Sequence, residues 1–424
     1  MSNKITIKDL GEYIPGKLNE LNLNKIKEFI NVAYYIDWYK SKDSNKVFPL
    51  ITKEISDLNP TNCRIPGIIS RNPFFDHTQI KYFIACNGSI PEGRIMAFID
   101  NNYTENNEAD KKIGWIGLFE SSKNKEAAYR LFDEAVKYLK QNSCQKIIGP
   151  AKFNAGGEIG LLIKGFENKP YFMEPYNAPY YQDFFENYGF KKENDWYSIS
   201  TDELLSRDYM NKIGKIIEKF KNSWRSENLN GFKVRNINFS NLKAEIEIIR
   251  ELYNPLWIEG NHPQQVYMTD EEFNAIALGI RDIAIEDLIF IVEKENQPIA
   301  VSVNIPDINE VIRDYDKNIN YFPKKSFWSF SDIMRDFRIF IRIKKRIKNK
   351  NFSRIRLLIL GVRKECRKML IDSLLFNSIK QKALEIGITH GSASQLADIN
   401  IDIINPVFKL GNIAMTWRVY CLEA

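Results

Sequence analysis

The residues whose types and spacing best suit chemistry lie in the last quarter of the chain. An apolar run, Leu357–Val362, ends in a basic loop, Arg363–Lys368, and a helical pattern opens directly behind it. A loop that feeds a helix N-terminus presents unpaired backbone N–H groups and the positive end of the helix dipole, which suits a phosphate. Arg363, Lys364, Arg367 and Lys368 add charge at that point. The competing reading of the same residues is a solvated basic turn. Further on, His390 lies on a strand pattern that leads to Asp398 and Asn400. An imidazole there is either a base or a structural histidine.

Other reactive types are scattered. The five cysteines form no C-x-x-C pair, and with three histidines no metal-ligand spacing appears. The expectation is free thiols in a reducing cytoplasm and no metal. The N-terminus, MSNKITIKDL, lacks the apolar segment of a signal peptide. The longest apolar runs are strand-sized, so no membrane span is expected. With 44% hydrophobic, 13% aromatic and 27% charged residues, the 424-residue chain reads as globular, with two or three domains. A net charge of +6 over that length does not imply nucleic acid.

The elements that must position these residues follow from periodicity. In the first half, strands are expected at Ile80–Cys86, Gly93–Asp100 and Ile113–Glu120. A helix, Lys125–Gln141, a strand, Lys146–Gly149, and a helix, Tyr180–Tyr188, stopping at Gly189 come next. The Lys-rich stretch Thr201–Asn230 reads as an amphipathic helix and a linker. The expected domains are therefore 1–205 and 231–424, with a helical linker at 206–230. The second run has a strand, Phe232–Phe239, a helix, Leu242–Trp257, and a helix capped by Thr269. Strands Leu288–Glu293 and Pro298–Asn304, a basic helix Phe330–Lys348, the 357–411 segment and a last strand, Ala414–Cys421, complete it. The two halves repeat one order of elements, as in NYGFKKENDWYSIS (187–200) against KLGNIAMTWRVYCL (409–422).

This layout, with V-x-x-x-C-R-K-x-L-I-D at 362–372, resembles the acyl-CoA-binding core of the GNAT acyltransferase superfamily. The repetition resembles a tandem GNAT chain. GRIMAFID (93–100), IIGPAKFN (147–154), PYNAPYY (175–181), YNPLWIEGNH (253–262) and MTDEEF (268–273) resemble a bacterial subgroup of it. The resemblance implies an α/β fold of two GNAT-like domains, each a mixed, mainly antiparallel sheet flanked by helices. It also implies a donor loop of the form R/Q-x-x-G-x-G/A. In the first half the matching loop, Glu120–Lys125, has no glycine. In the second, Arg367 matches, but Leu370 and Asp372 replace the small residues.

The resemblance therefore points to the C-terminal half for an acyl-CoA co-substrate, held by Val362, Arg363, Cys366, Arg367, Lys368, Met369 and Asn400. The family's Asn-to-Gly signature is filled by Asn177 to Gly189 and by Asn400 to Gly411. The tyrosine that protonates the leaving thiolate is replaced by Phe185 and Val407, leaving Tyr188 and Tyr420 as substitutes by sequence. Asp398 would accept the proton of an attacking amine, with His390 as a second base. The implied activity is N-acyl transfer from acyl-CoA or an acyl carrier protein to an amine of a small molecule or peptide, by direct attack. A Fem-type transferase using aminoacyl-tRNA and a non-catalytic binding protein are the alternatives.

Three further features stay open on sequence alone. Glu158 and the Gly156–Gly157 pair sit in a loop that could cover a site. The aromatics Tyr171, Phe172, Tyr176, Tyr180, Tyr181, Phe184 and Phe185 could line an acyl channel or join the two halves. The basic run Arg335–Arg354 reads as a solvated helix face, a carrier-protein dock, a rim for phosphates or, least well, a nucleic-acid patch.

Overall fold

The computed structural model describes residues 4–60, 71–103, 111–153, 156–200, 208–222, 231–258, 262–321, 329–367, 369–400, 407 and 411–424. The first half holds β1 (Ile5–Ile14), β2 (Leu18–Asn19), α1 (Leu23–Asn31), α2 (Ile51–Asp57), β3 (Thr78–Asn87), β4 (Ile90–Asp100) and β5 (Ile113–Ser121). Then come α3 (Lys125–Gln141), β6 (Lys146–Gly149), the short β7 (Ala151–Lys152), β8 (Glu158–Ile159) and β9 (Leu161–Lys164), α4 (Tyr181–Tyr188) and β10 (Lys191–Ser200). A helix, α5 (Asp208–Asn222), leads to the second half. That half has β11 (Phe232–Asn236), α6 (Leu242–Ile258), α7 (Asp270–Arg281), β12 (Ile289–Lys294), β13 (Gln297–Pro306), α8 (Asn309–Asn318) and α9 (Phe330–Lys348). It closes with β14 (Arg354–Val362), α10 (Ile371–Glu385), β15 (His390–Ala397) and β16 (Asn412–Glu423).

The local signals act where expected. Thr269 and Glu272 form a capping box at the start of α7. Gly189 ends α4 with φ 116°, a conformation that costs other residues energy. The apolar pattern of Leu21–Tyr39 reads as one helix, but the helix α1 is shorter and gives way to two 3₁₀ turns after Asn31. The expected linker region contains α5, whose Ile213 and Ile217 pack on Phe376 and Ala393 of the second half.

Both halves repeat one sheet pattern. β3, β4 and β5 are antiparallel and β5 runs parallel to β6; β12, β13 and β14 are antiparallel and β14 runs parallel to β15. The halves nevertheless do not own separate sheets. One sheet runs β11-β12-β13-β14-β15-β10-β16-β6-β5-β4-β3-β1-β2. The last strand of each half has crossed: β10 lies against β15, and β16 lies against β6. The two crossed strands pair with each other, Trp196 opposite Trp417.

This central pair is buried on both faces, through Trp196, Ile199, Trp417, Val419 and Tyr420. One charge pair fixes its register. Arg418 donates from Nε to Asp195 Oδ1 at 2.8 Å and from Nη2 to Oδ2 at 3.2 Å, from directly opposite. Burial pushes the Asp195 carboxyl up, but Arg418 and Lys192 outweigh it and hold it below the usual range. Asp195→Ala is expected to cost about 2–3 kcal/mol in urea unfolding, because Arg418 loses its partner. The depressed carboxyl contributes its stability above the unfolded-state value and loses it as pH falls through the folded-state value. The gap between variant and wild type should thus close in acid below about pH 3.9. A gap that stays constant would show that the pair does not set stability.

Candidate functional site

The parallel ladder between β14 and β15 runs only from Arg354↔His390 to Leu357↔Ala393. Beyond it β14 continues along β13 and β15 along β10, so the two strands part. The floor of this V is a buried polar knot. Glu174 accepts from Ser394 Oγ at 2.5 Å, Ser392 Oγ at 3.2 Å and the Tyr171 N–H at 2.8 Å. Arg356, also buried, donates from Nη2 to the Ser394 carbonyl at 3.1 Å. The last of these bonds satisfies the first β15 carbonyl past the end of the ladder.

A cavity of ≈ 160 Å³ fills the V. Leu357–Leu360 and Ala393–Leu396 form its strand walls; Ile246, Ile249 and Tyr253 of α6 and Phe273, Ile276 and Ile280 of α7 close it from one side. The helix residues recur every three or four positions, so one apolar face of each helix turns inward. Gly156 and Gly157 reach it from the first half. A few polar groups converge on it, among them His262 and Gln265. Such a composition, mostly apolar with a few placed polar groups, is that of a ligand site.

His262 lies with its Nε2 3.1 Å from Asn400 Nδ2. Burial pushes its imidazole down to about 4, and the nearby Arg367 charge acts the same way. The ring is therefore neutral at physiological pH. Arg367 itself turns back, its Nε 3.4 Å from the Val362 carbonyl at the end of β14. The structure thus brings Val362, Arg367 and Asn400 together and adds His262. That histidine ends the YNPLWIEGNH stretch, which is the signal that could have found it.

The rest of the expected set falls elsewhere. Cys366 is buried among Phe290, Val292, Ile371 and Leu375, and burial pushes its thiol up, so it packs beneath the loop. Met369 is exposed and Lys368 lies outside the described residues. The Arg363 N–H is bonded to the Ile299 carbonyl. Asp398 accepts from the Asp195 N–H at 3.1 Å and pairs with Lys192 at 3.2 Å, so it ties β15 to β10 and does not line the cavity. His390 starts β15, roughly 25 Å from Asp398 at 3.3 Å per residue, with its Nδ1 2.7 Å from Thr389 Oγ1. Tyr420 is buried in the first half, its hydroxyl donating to Glu186 at 3.0 Å and its ring against Phe185. The crossing of β16 carries it away from the V.

The matching loop of the first half is sealed. The buried Glu120 carboxylate accepts from the Tyr39 and Tyr181 hydroxyls, with Lys46 at 3.6 Å. The backbone donors are occupied in turn: Ser121 N–H by the Tyr181 hydroxyl at 2.8 Å, Ser122 N–H by the Glu92 carbonyl at 2.7 Å, and Glu126 N–H by the Asn124 side chain at 3.0 Å. In the second half no side chain caps α10, whose entry residue, Leu370, is left-handed at φ 60°. The aromatic cluster divides. Tyr181, Phe184 and Phe185 belong to the first half's core, while Tyr171 stacks under Arg354 and Phe172 bonds Asp307 of the second half. None of the seven lines the cavity.

No family model matches the sequence. Over 306 residues the chain is 29% identical to Protein YghO of Escherichia coli (strain K12), covering 72% of this chain and 70% of that protein. Over 404 residues it is 23% identical to the Bacterial ceramide synthase of Caulobacter vibrioides (strain NA1000 / CB15N), covering 93% and 94%. A solved tandem GNAT protein from the clavulanic acid biosynthesis pathway superposes with a TM-score of 0.52 at 8% identity, over 99% of this chain and 98% of that one. With the same strand–loop–helix–strand V built twice into one sheet, the chain has the tandem GNAT fold.

Proposed function

We propose that the chain is an N-acyltransferase that moves a long acyl group from a thioester, acyl-CoA or acyl carrier protein, to the amine of a small lipid-like molecule in the cytoplasm. The observation that carries this reading is the apolar cavity in the V of the second half, with a neutral imidazole at its side. The relative named ceramide synthase supports it. A ceramide is the amide of a fatty acid with a long-chain amino alcohol, and both partners of such a reaction need apolar walls.

The amine attacks the thioester carbonyl; the C–N bond forms, the C–S bond breaks, and the thiolate leaves. His262 takes the proton that the amine must lose. The edge of β14 past Leu357, freed from its ladder with β15, offers backbone donors to the carbonyl oxygen. Asn400 orients the His262 ring. For a CoA donor, the uncapped α10 N-terminus with Arg363 and Arg367 would take the phosphates. Leu370 and Asp372 crowd that cradle, which is why a carrier protein stays beside CoA as donor. The first half, its own loop sealed, serves as scaffold and supplies the Gly156–Gly157 cover.

His262→Ala should lower kcat/KM at least about 100-fold with the unfolding midpoint kept. In the wild type the neutral ring is the active form, so beyond the loss that protonation of the amine substrate itself causes, a further loss is expected as pH drops through about 4. Undiminished turnover in the variant would remove His262 from the reaction. Ala277→Val should narrow the cavity wall, cutting transfer of palmitoyl at least about tenfold while a hexanoyl donor still reacts; equal loss for both would mean that the chain lies elsewhere. Arg367→Glu should abolish the rise in melting temperature that an acyl-CoA gives, about 2.7 kcal/mol at a hundredfold excess over its dissociation constant. No shift in either protein would exclude CoA and leave the carrier protein.

A further inference from the structure

Helix α9 is buried along one side. Asp332, Arg335, Asp336, Ile339 and Ile343 are buried. Arg335 is bonded to Asp316 at 2.6 Å and to the Phe48 carbonyl of the first half at 2.9 Å. Arg346 pairs with Asp314, and Arg342 lies over the Tyr315 ring. The opposite side carries Phe330, Phe337, Phe340 and Ile341, exposed to 79, 56, 42 and 49%. Positions 337, 340 and 341 lie one helical turn apart and share a face. Arg338, Lys345 and Lys348 flank them, exposed and, among the described residues, outside any ion pair.

A solvated face does not need projecting phenylalanines, and charge alone would serve an acidic protein. Aromatic and aliphatic side chains set among lysines and arginines make the pattern of a helix that lies in a bilayer interface. The apolar groups enter the acyl boundary and the cations meet anionic headgroups. No helix among the described residues is long and apolar enough to cross a membrane, so the contact would be superficial.

The face adjoins the cavity. Lys344 donates to the carbonyl of Asp282 at 2.9 Å and to its carboxylate at 2.8 Å, and Asp282 ends α7, a wall of the cavity. Leu278, one turn before Asp282, is itself 50% exposed. We propose that the outer face of α9, continued by the end of α7, docks on an anionic phospholipid bilayer. The surface stands apart from the reaction proposed above, though it would bring the cavity wall to where long-chain lipids reside.

The test is co-sedimentation of the full chain with vesicles of phosphatidylcholine alone or mixed with phosphatidylglycerol. Binding is expected to the mixed vesicles and to weaken with salt as headgroup attraction is screened. It should fall at least about tenfold for Phe337→Ser/Phe340→Ser/Ile341→Ser together and for Arg338→Glu/Lys345→Glu together. Transfer between water-soluble short-chain substrates should be that of the wild type in both variants. Failure to bind mixed vesicles would overturn the proposal. So would binding that survives the triple serine variant, or a concentration-dependent dimer that only that variant loses. Vesicle binding without any acyl transfer would keep the docking surface and sink the transferase reading.

Discussion

Two strands that have each crossed to the other half hold this molecule in one piece. β10 and β16 are buried on both faces and pair with each other as well as with the neighbouring half, so neither half can lose its partner and keep a complete sheet. A pair of this kind needs its register fixed, because a slip of one residue turns every side chain to the wrong face. The Asp195–Arg418 fork and the opposed tryptophans do that. The same crossing brings Asp195 beside Asp398, whose carboxylate at the end of β15 accepts the Asp195 N–H.

The repeat then diverges by what fills each V. Parallel strands that part leave backbone groups without a ladder, and those groups need partners. In the first half the answer is internal: Tyr181 and Asn124 take loop N–H groups, Tyr180 donates to the Ser121 carbonyl, and Glu120 takes the Tyr39 and Tyr181 hydroxyls. In the second half only the floor is closed, by Glu174, three serines and Arg356. Above that floor the walls are Leu, Ile and Phe, and the open space is large enough to matter. A sealed copy beside an open one divides the labour, with rigidity on one side and a cavity on the other.

Much of this was legible in the sequence, and what was not has a physical cause. Strand and helix order, the Thr269 cap and the Gly189 stop depend on neighbours a few residues away, and periodicity reports those. The strand exchange does not: β16 carries the same alternating pattern whichever strand it adjoins. Tyr420 and Asp398 were named through the resemblance, but Glu186 and Lys192, which bond and pair with them, come from the other half. His262 and Asn400 lie 138 positions apart, and only folding places the imidazole against the amide and beside Arg367. The open cavity could not be read either, because the residues that wall it are ordinary core types.

The cavity wall also shows how the halves share a site that belongs to one of them. His77 of the first half lies between Asp100 at 2.8 Å and Glu272 of α7 at 3.2 Å. Burial alone would push its imidazole down, but the two carboxylates outweigh it and raise it to about 9. The ring is thus charged at neutral pH, and the link holds fully below the ordinary histidine value and weakens as pH rises through about 9. At its other end α7 is held by Lys344 of α9, which Arg335 in turn fastens to the first half. Ionic contacts thus pin both ends of a helix whose apolar face, Phe273, Ile276 and Ile280, walls the cavity. That is a reason for the second half to keep the first, even though the loop of the first is sealed.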